Sequence, residues 1–304
     1  MSTRPLFTIR RGLVGIIGML ILGAGLSMGI DMARSENKPP HLKSTAAKTT
    51  DKVNKKAIDK AQDTQLMAHT NHNMKAKDYA YPTESVLKQM NGERQDIKDK
   101  VVFLTFDDGP DKDNTPKVLD ILKKANVPAT FFEVGRFVTD ETAPIMKRQI
   151  QEGHAIGSHS FSHDYATLYP NGQADATIIS QEFDESVAAF RHVLGSDYAT
   201  HAFRYPGGRM SWSGIKNADQ TLSKKAVYAM DWNAAVGDAL TEDQQPKNVR
   251  EMVAFNEKSL GWFPDHGVRI VLMHDSSGHE LTTESLSQVI QFYKDQGYKF
   301  GILE

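Results

Sequence analysis

The 304-residue chain carries 36 basic and 38 acidic side chains for a formal net charge of −2, with 39% hydrophobic and 24% charged residues. Such a balance lets a sizeable core form and gives no electrostatic case for a nucleic-acid partner. Cysteine is absent, which excludes disulfides and thiolate metal sites and leaves His, Asp and Glu to hold any metal.

Arg4, Arg10 and Arg11 precede an uncharged apolar run over residues 13–30. As a helix that run spans roughly 27 Å, close to the hydrocarbon thickness of a bilayer. A basic flank stays in the cytoplasm, so residues 1–30 are expected to form a cytoplasmic tip and transmembrane signal-anchor, with the remainder extracellular. A cleaved signal peptide, releasing a secreted protein, is the competing reading. From Asp31 to about Lys77 large apolar residues are almost missing. This composition predicts a flexible extracellular linker, taken here as residues 31–95. Lys43, Lys48, Lys52, Lys55, Lys56 and Lys60 make it locally basic, which suits either a solvated spacer or attraction to an anionic wall. His69 and His72 are expected to be solvent-exposed rather than ligands.

From Lys100 onward, strand-like runs at 101–106, 129–134, 155–158, 202–205, 226–232, 268–274 and 299–303 alternate with helical patterns. Thr115 is placed to cap a helix with Pro116 at its first position, and Pro246 to open another. Phe183, Val187, Phe190 and Leu194 fall at helical spacing, as do Leu286, Val289, Ile290 and Tyr293, and both stripes read as core faces. The alternation predicts a parallel α/β sheet, barrel or open.

In both architectures the functional site lies at the carboxyl ends of the strands, and here those ends are polar. The first ends in Asp107-Asp108-Gly109-Pro110, a turn or, where a cation neutralises two adjacent carboxylates, a site. The third ends in His159-Ser160-Phe161-Ser162-His163, whose two imidazoles, four residues apart, would share a metal across one helical turn or be a coincidence. With Asp108 they make a two-His, one-carboxylate set that leaves positions open for water and substrate. Arg204, ending the fourth, pairs with a carboxylate or sits at the surface. Asp231-Trp232 ends the fifth, blandly a capping Asp beside a core Trp. His274, ending the sixth, stands where an acid or base near neutral pH would.

These residues resemble the polysaccharide deacetylase family, carbohydrate esterase family 4, and in particular peptidoglycan N-acetylglucosamine deacetylases. Its motifs occur in order as Thr105-Phe106-Asp107-Asp108-Gly109-Pro110, His159-Ser160-Phe161-Ser162-His163, Arg204-Tyr205-Pro206-Gly207-Gly208, Asp231-Trp232 and Leu272-Met273-His274. The resemblance implies a distorted (β/α) barrel of about seven parallel strands and a catalytic domain over residues 96–304. It implies Asp108, His159 and His163 as ligands of Zn2+, or of another divalent ion such as Co2+. Asp107 would be the general base with Arg204 paired to it, and His274 the general acid with Asp231 set against it. Gly207, Tyr205, Trp232 and Leu272 would contact substrate. Many relatives carry Tyr where Gly207 stands, so the stacking surface of that side chain is expected to be lost. The implied protein is a monomer acting on a cell-wall polysaccharide, most simply peptidoglycan; chitin oligomers, poly-N-acetylglucosamine and O-acetyl xylan are the other substrates. A wall-binding module without catalysis is one alternative. A serine hydrolase using Ser276 or Ser277 with His274 and Asp275 is another, although no Gly-x-Ser-x-Gly elbow is present.

Overall fold

The computed structural model describes residues 64–304, residue 95 excepted. A 3-10 helix over Met74–Tyr79 leads into a short strand β1 (Ala80–Tyr81) and helix α1 (Thr83–Met90). Strands and helices then alternate as the hydrophobic pattern predicts: β2 (Val101–Asp107), α2 (Thr115–Ala125), β3 (Thr130–Glu133), α3 (Ala143–Glu152) and β4 (Ala155–Ser158). A single turn α4 (Tyr165–Leu168) leads to α5 (Ala176–Leu194), β5 (Ala202–Phe203), α6 (Ile215–Ser223), β6 (Tyr228–Ala229) and β7 (Ala234–Ala235). The chain finishes with α7 (Val249–Ser259), β8 (Val268–His274), α8 (Glu280–Asp295), β9 (Lys299–Phe300) and β10 (Ile302–Leu303).

One parallel path runs β6-β5-β4-β3-β2-β8-β7, with β9 against the start of β2 and β1 paired separately with β10. The expected barrel is therefore present as a curled sheet that stays open between β6 and β7. Residues 230–233 span that opening, and the Asn233 side chain accepts from Ile270 N at 2.8 Å and donates to Val268 O at 2.9 Å.

Period-two alternation sorts the buried strand β2. Val101 and Phe103 enter an interior cluster with Phe132, Met230, Val268 and Ile270. Val102, Leu104 and Phe106 face outward and pack with Val118 and Leu122 of α2 and Leu286 and Val289 of α8. By the same alternation Thr105 and Asp107 look inward at the carboxyl end.

The opposite end is closed by residues that composition assigned to a tether. Val86 of α1 joins the interior cluster, and Gln89 donates to Ile97 O and His266 O while accepting from Ile97 N. Asn71 donates to Leu303 O at 2.9 Å and Asn73 to Ile150 O at 2.7 Å. The linker expected through residue 95 is thus corrected over residues 64–94, which are folded onto the sheet. His72, expected exposed, is buried, whereas His69 is exposed. Amide side chains hold this segment by bonding backbone groups, so it lacks the large apolar residues by which a packed segment is recognised.

Two helix starts also differ. Asn114, not Thr115, precedes α2, and the Thr115 hydroxyl donates instead to Asp275 Oδ2 at 2.6 Å. Helix α7 begins at Val249, capped by Asn248 accepting from Glu251 N at 3.0 Å, rather than at Pro246. The apolar run at 13–30 lies outside the described residues, and among those described no helix is long and apolar enough to cross a membrane.

Candidate active site

Asp107 closes β2 and pairs in register with His274 at the end of β8. The bend comes at Asp108 itself, whose φ is 73°, so the two carboxylates no longer alternate and both reach the rim. Arg204, fully buried, donates Nη1 to Asp107 Oδ1 and to Thr105 Oγ1, each at 2.7 Å, and Nε to Met230 O at 2.8 Å. Its guanidinium lies over the Phe132 ring, 4.2 Å from the centroid. A buried cation needs a paired anion and satisfied donors, and Arg204 has both, which fixes Asp107 in position.

The histidine pair is built by a loop, not by the helical turn its spacing suggested: Ser160 and His163 both have positive φ. Glu182 of α5 pins that loop, accepting from Phe161 N, Ser162 N and the Ser162 hydroxyl at 3.1, 3.0 and 2.6 Å. The imidazole centroids of His159 and His163 are 5.0 Å apart. His159 Nδ1 lies 2.9 Å from Arg204 O, so it carries the proton and turns the Nε2 lone pair toward the carboxylates. Asp108 Oδ1 is 3.2 Å from His163 Nε2 and 3.5 Å from His159 Nε2. It is buried and yet makes no hydrogen bond.

One ligand atom from each of Asp108, His159 and His163 lies within 4.8 Å of the others. Three donors aimed at a shared point, one of them an orphaned buried carboxylate oxygen, fit a divalent cation with open positions. Burial pushes the Asp108 carboxyl up, but His163, His159 and His274 outweigh it and hold the group well below the usual carboxylate range. Burial lowers His159 below the ordinary histidine value. Both groups are therefore held in their metal-binding forms.

Across the rim, His274 is held by Asp238. His274 N donates to Asp238 Oδ2 at 2.8 Å, its Nδ1 lies 3.0 Å from Asp238 Oδ1, and the Thr282 hydroxyl donates to Oδ2 at 2.8 Å. Burial alone would lower the imidazole, but Asp238, with Asp107 and Asp108 behind it, raises it to about 9. Nε2 points back into the site, 4.0 Å from Asp108 Oδ2. The expected partner Asp231 is thereby corrected: its Oδ1 accepts from Arg209 N at 3.3 Å and burial raises its carboxyl. The chain leaves the sheet after β6 and returns at β7, creating a second strand end, and the carboxylate that reaches His274 follows the second.

A cavity of about 480 Å³ joins these groups, bordered by Gly207, Trp232 and Leu272 among others. Tyr205 borders it too, but its side chain is buried and its hydroxyl donates to Asp219 Oδ1 at 2.9 Å, so it serves as wall. Behind the rim, a Cβ on Gly109 would lie 2.6 Å from Glu133 Oε2 and 3.0 Å from Asp275 Oδ1. Both are buried and their carboxyls raised, Asp275 to about 7, by desolvation and then the charges around them. The serine-hydrolase alternative fails here: Asp275 binds Thr115, Ser277 binds Asp111 at 2.6 Å, and neither reaches His274 Nδ1.

Sequence reasoning passed over Asp238, Glu182 and Glu133. Glu182 stood within the apolar stripe of α5, one residue before Phe183, and a charge inside a buried stripe was its signal.

A family model for polysaccharide deacetylase matches residues 94–226. A peptidoglycan-N-acetylmuramic acid deacetylase of Bacillus subtilis is 32% identical over 68% of this chain and 71% of its own length. A peptidoglycan-N-acetylglucosamine deacetylase of Listeria monocytogenes is 33% identical over 67% of this chain, which spans only 38% of that relative. Among solved structures, a carbohydrate esterase family 4 esterase of Streptococcus mutans is 45% identical with a TM-score of 0.76, covering 80% of this chain and 99% of its own.

Proposed function

This chain belongs to the polysaccharide deacetylase family, and from that premise we propose that it hydrolyses N-acetyl groups of a cell-wall polysaccharide, N-acetylglucosamine of peptidoglycan first among them. The observation that carries the reading is the Asp108–His159–His163 cluster standing between an arginine-held aspartate and an aspartate-held histidine. A binding module has no use for a metal cluster, an anionic base and a cationic acid converging on one cavity.

Asp108, His159 and His163 would hold the ion, Zn2+ or alternatively Co2+. When bound, such an ion supplies Lewis-acid polarisation of the acetyl carbonyl and lowers the pKa of a nearby water. Asp107, kept in place by Arg204, takes the proton of the attacking water. The Gly207 backbone N–H is the donor that meets the developing oxyanion. His274, charged at neutral pH through Asp238, delivers a proton to the departing sugar nitrogen, a poor leaving group until protonated. Trp232 and Leu272 enclose the acetyl methyl. Action outside the cell, with residues 13–30 as anchor, completes the proposal.

The test is acetate release from purified peptidoglycan, followed by mass spectrometry of muropeptides. Loss of one acetyl on glucosamine is the expected result; an unchanged wall would move the substrate to another N-acetylated or O-acetylated polymer. Chelator should abolish release and zinc restore it, and full activity of metal-free protein would sink the reading.

A further inference from the structure

We propose that Tyr165, braced by Trp212 and Tyr169, is the platform for a sugar ring beside the reacting acetamide, making the contact that Gly207 has no side chain to make. The inference rests on the deacetylase reading and names a specificity-determining residue within that site.

The geometry begins at Gly207, which has φ 76° and is exposed. A Cβ there would meet Trp212 Cζ2 and the Tyr165 hydroxyl, each at 3.3 Å. The space that a side chain at 207 would sweep is therefore filled by Trp212, further along the same connection, and by Tyr165 at the start of α4. Trp212 is anchored by its Nε1 donating to Pro206 O at 2.9 Å. It stacks on the buried Tyr169 at 4.1 Å with an interplanar angle of 7°. Tyr165 then packs against Trp212 at 5.1 Å and 61°, with its ring 5.4 Å from that of His163. Asp164 fixes the turn carrying Tyr165, accepting from Ala166 N at 3.0 Å and the Thr167 hydroxyl at 2.7 Å.

Tyr165 is nevertheless 45% exposed and borders the cavity. A large aromatic ring held rigid from behind and left open in front loses little conformational freedom on binding and gains by covering its face. It stands next to a metal ligand without supplying a ligand atom. Its chemistry, an apolar face with one hydroxyl at the edge, matches a pyranose ring, which offers a C–H face flanked by hydroxyls. Stacking on the ring and a hydrogen bond from the phenol give the register that brings the acetamide to Asp108 and Asp107.

Binding is read by calorimetry on the zinc-loaded full chain, with the linear N-acetylglucosamine pentamer as probe and an Asp107→Asn background to stop turnover. Tyr165→Ala and Trp212→Ala should each weaken binding about tenfold, and Tyr165→Phe by roughly threefold, since it keeps the face and loses the hydroxyl. Met210→Ala alters the 90% exposed side chain of the same Trp212 loop and should change nothing. In the active background, kcat/KM for acetate release from the pentamer should fall by the same factor, mainly through KM. Hydrolysis of 4-nitrophenyl acetate, too small to span from metal to Tyr165, should keep its rate. Unchanged pentamer binding in Tyr165→Ala, or no pentamer binding by the parent protein, overturns the platform. So does an equal loss on both substrates, which would make Tyr165 a support for His163. Pentamer binding that depends on Tyr165 without any acetate release leaves the platform standing and removes the deacetylase reading instead.

Discussion

The two ends of the curled sheet bury polar groups in opposite ways. At the carboxyl rim two buried ion pairs border the cavity, Arg204 with Asp107 and His274 with Asp238. At the other end the amides Asn71, Asn73 and Gln89 and the imidazole of His154 bond to backbone, and the buried Arg269 reaches Asp265 only at 3.5 Å. Two buried histidines make the contrast plain. A carboxylate beside His274 raises it to about 9, whereas burial lowers His154, with no such partner, to about 4. Burying a charge is expensive unless it is paired, so the end that keeps charges inside has a use for them. The amide-lined end closes the fold.

The sharpest way to break that contrast is to remove a charge from the rim. Asp107→Asn should lower kcat for acetate release by roughly a thousandfold, the scale of losing a positioned general base. Metal content, read by atomic absorption, should stay near that of the parent, because Asp108, His159 and His163 are untouched. Arg204 keeps Thr105 and Met230 as acceptors, so the fold should survive with a lower Tm. A variant that loses its metal instead would show that the two aspartates have exchanged roles.

The acid side separates two carboxylates that sequence alone cannot rank. Asp238→Asn should cost about ten- to a hundredfold in kcat, as loss of an orienting partner does. It should also move the alkaline limb of the pH profile to lower pH. The sign follows from the charge: Asp238 favours imidazolium, so without it His274 gives up its proton earlier. In the parent that limb should fall at or below about 9, since a cation on Asp108 removes part of the negative field that raises His274. Asp231→Asn should change kcat by under about threefold, as a substitution outside the machinery does. A larger effect at Asp231 than at Asp238 would restore the sequence assignment.

That pair of variants also marks where the sequence is readable. Asp107, Asp108, His159, His163, Arg204 and His274 follow strands whose ends the hydrophobic runs locate, so each site residue sits within a few positions of a visible boundary. Asp238 follows β7, which has only two residues, too short to register as a run, so the run at 226–232 supplies the strand end that the sequence pattern marks there. Glu182 acts from a helix more than a dozen residues away in sequence from the loop it pins, a relation that local pattern does not carry. At the closed end the segment before β2 buries few large apolar side chains, and hydrogen bonds to distant backbone groups leave no periodic trace.

The amide-lined end makes a smaller prediction of its own. His154 Nδ1 accepts from Ala129 N at 3.1 Å, and its Nε2 is buried without a partner. Protonation would break the first bond and place a charge in a buried site where desolvation, with Arg148, outweighs the attraction of Glu152. The folded value is lowered from 6.5 to about 4, so the contribution of His154 is intact above 6.5. It is lost as pH falls from there towards 4, because the unfolded chain takes up a proton that the folded one refuses. Each pH unit in that window removes at most ~1.4 kcal/mol. Denaturant titrations at pH 7 and pH 5 should therefore show the parent losing up to about 2 kcal/mol more than His154→Gln, which retains an acceptor and does not titrate. Equal losses in the two proteins would mean that His154 finds a partner for its proton, and that the closed end tolerates charge as the rim does.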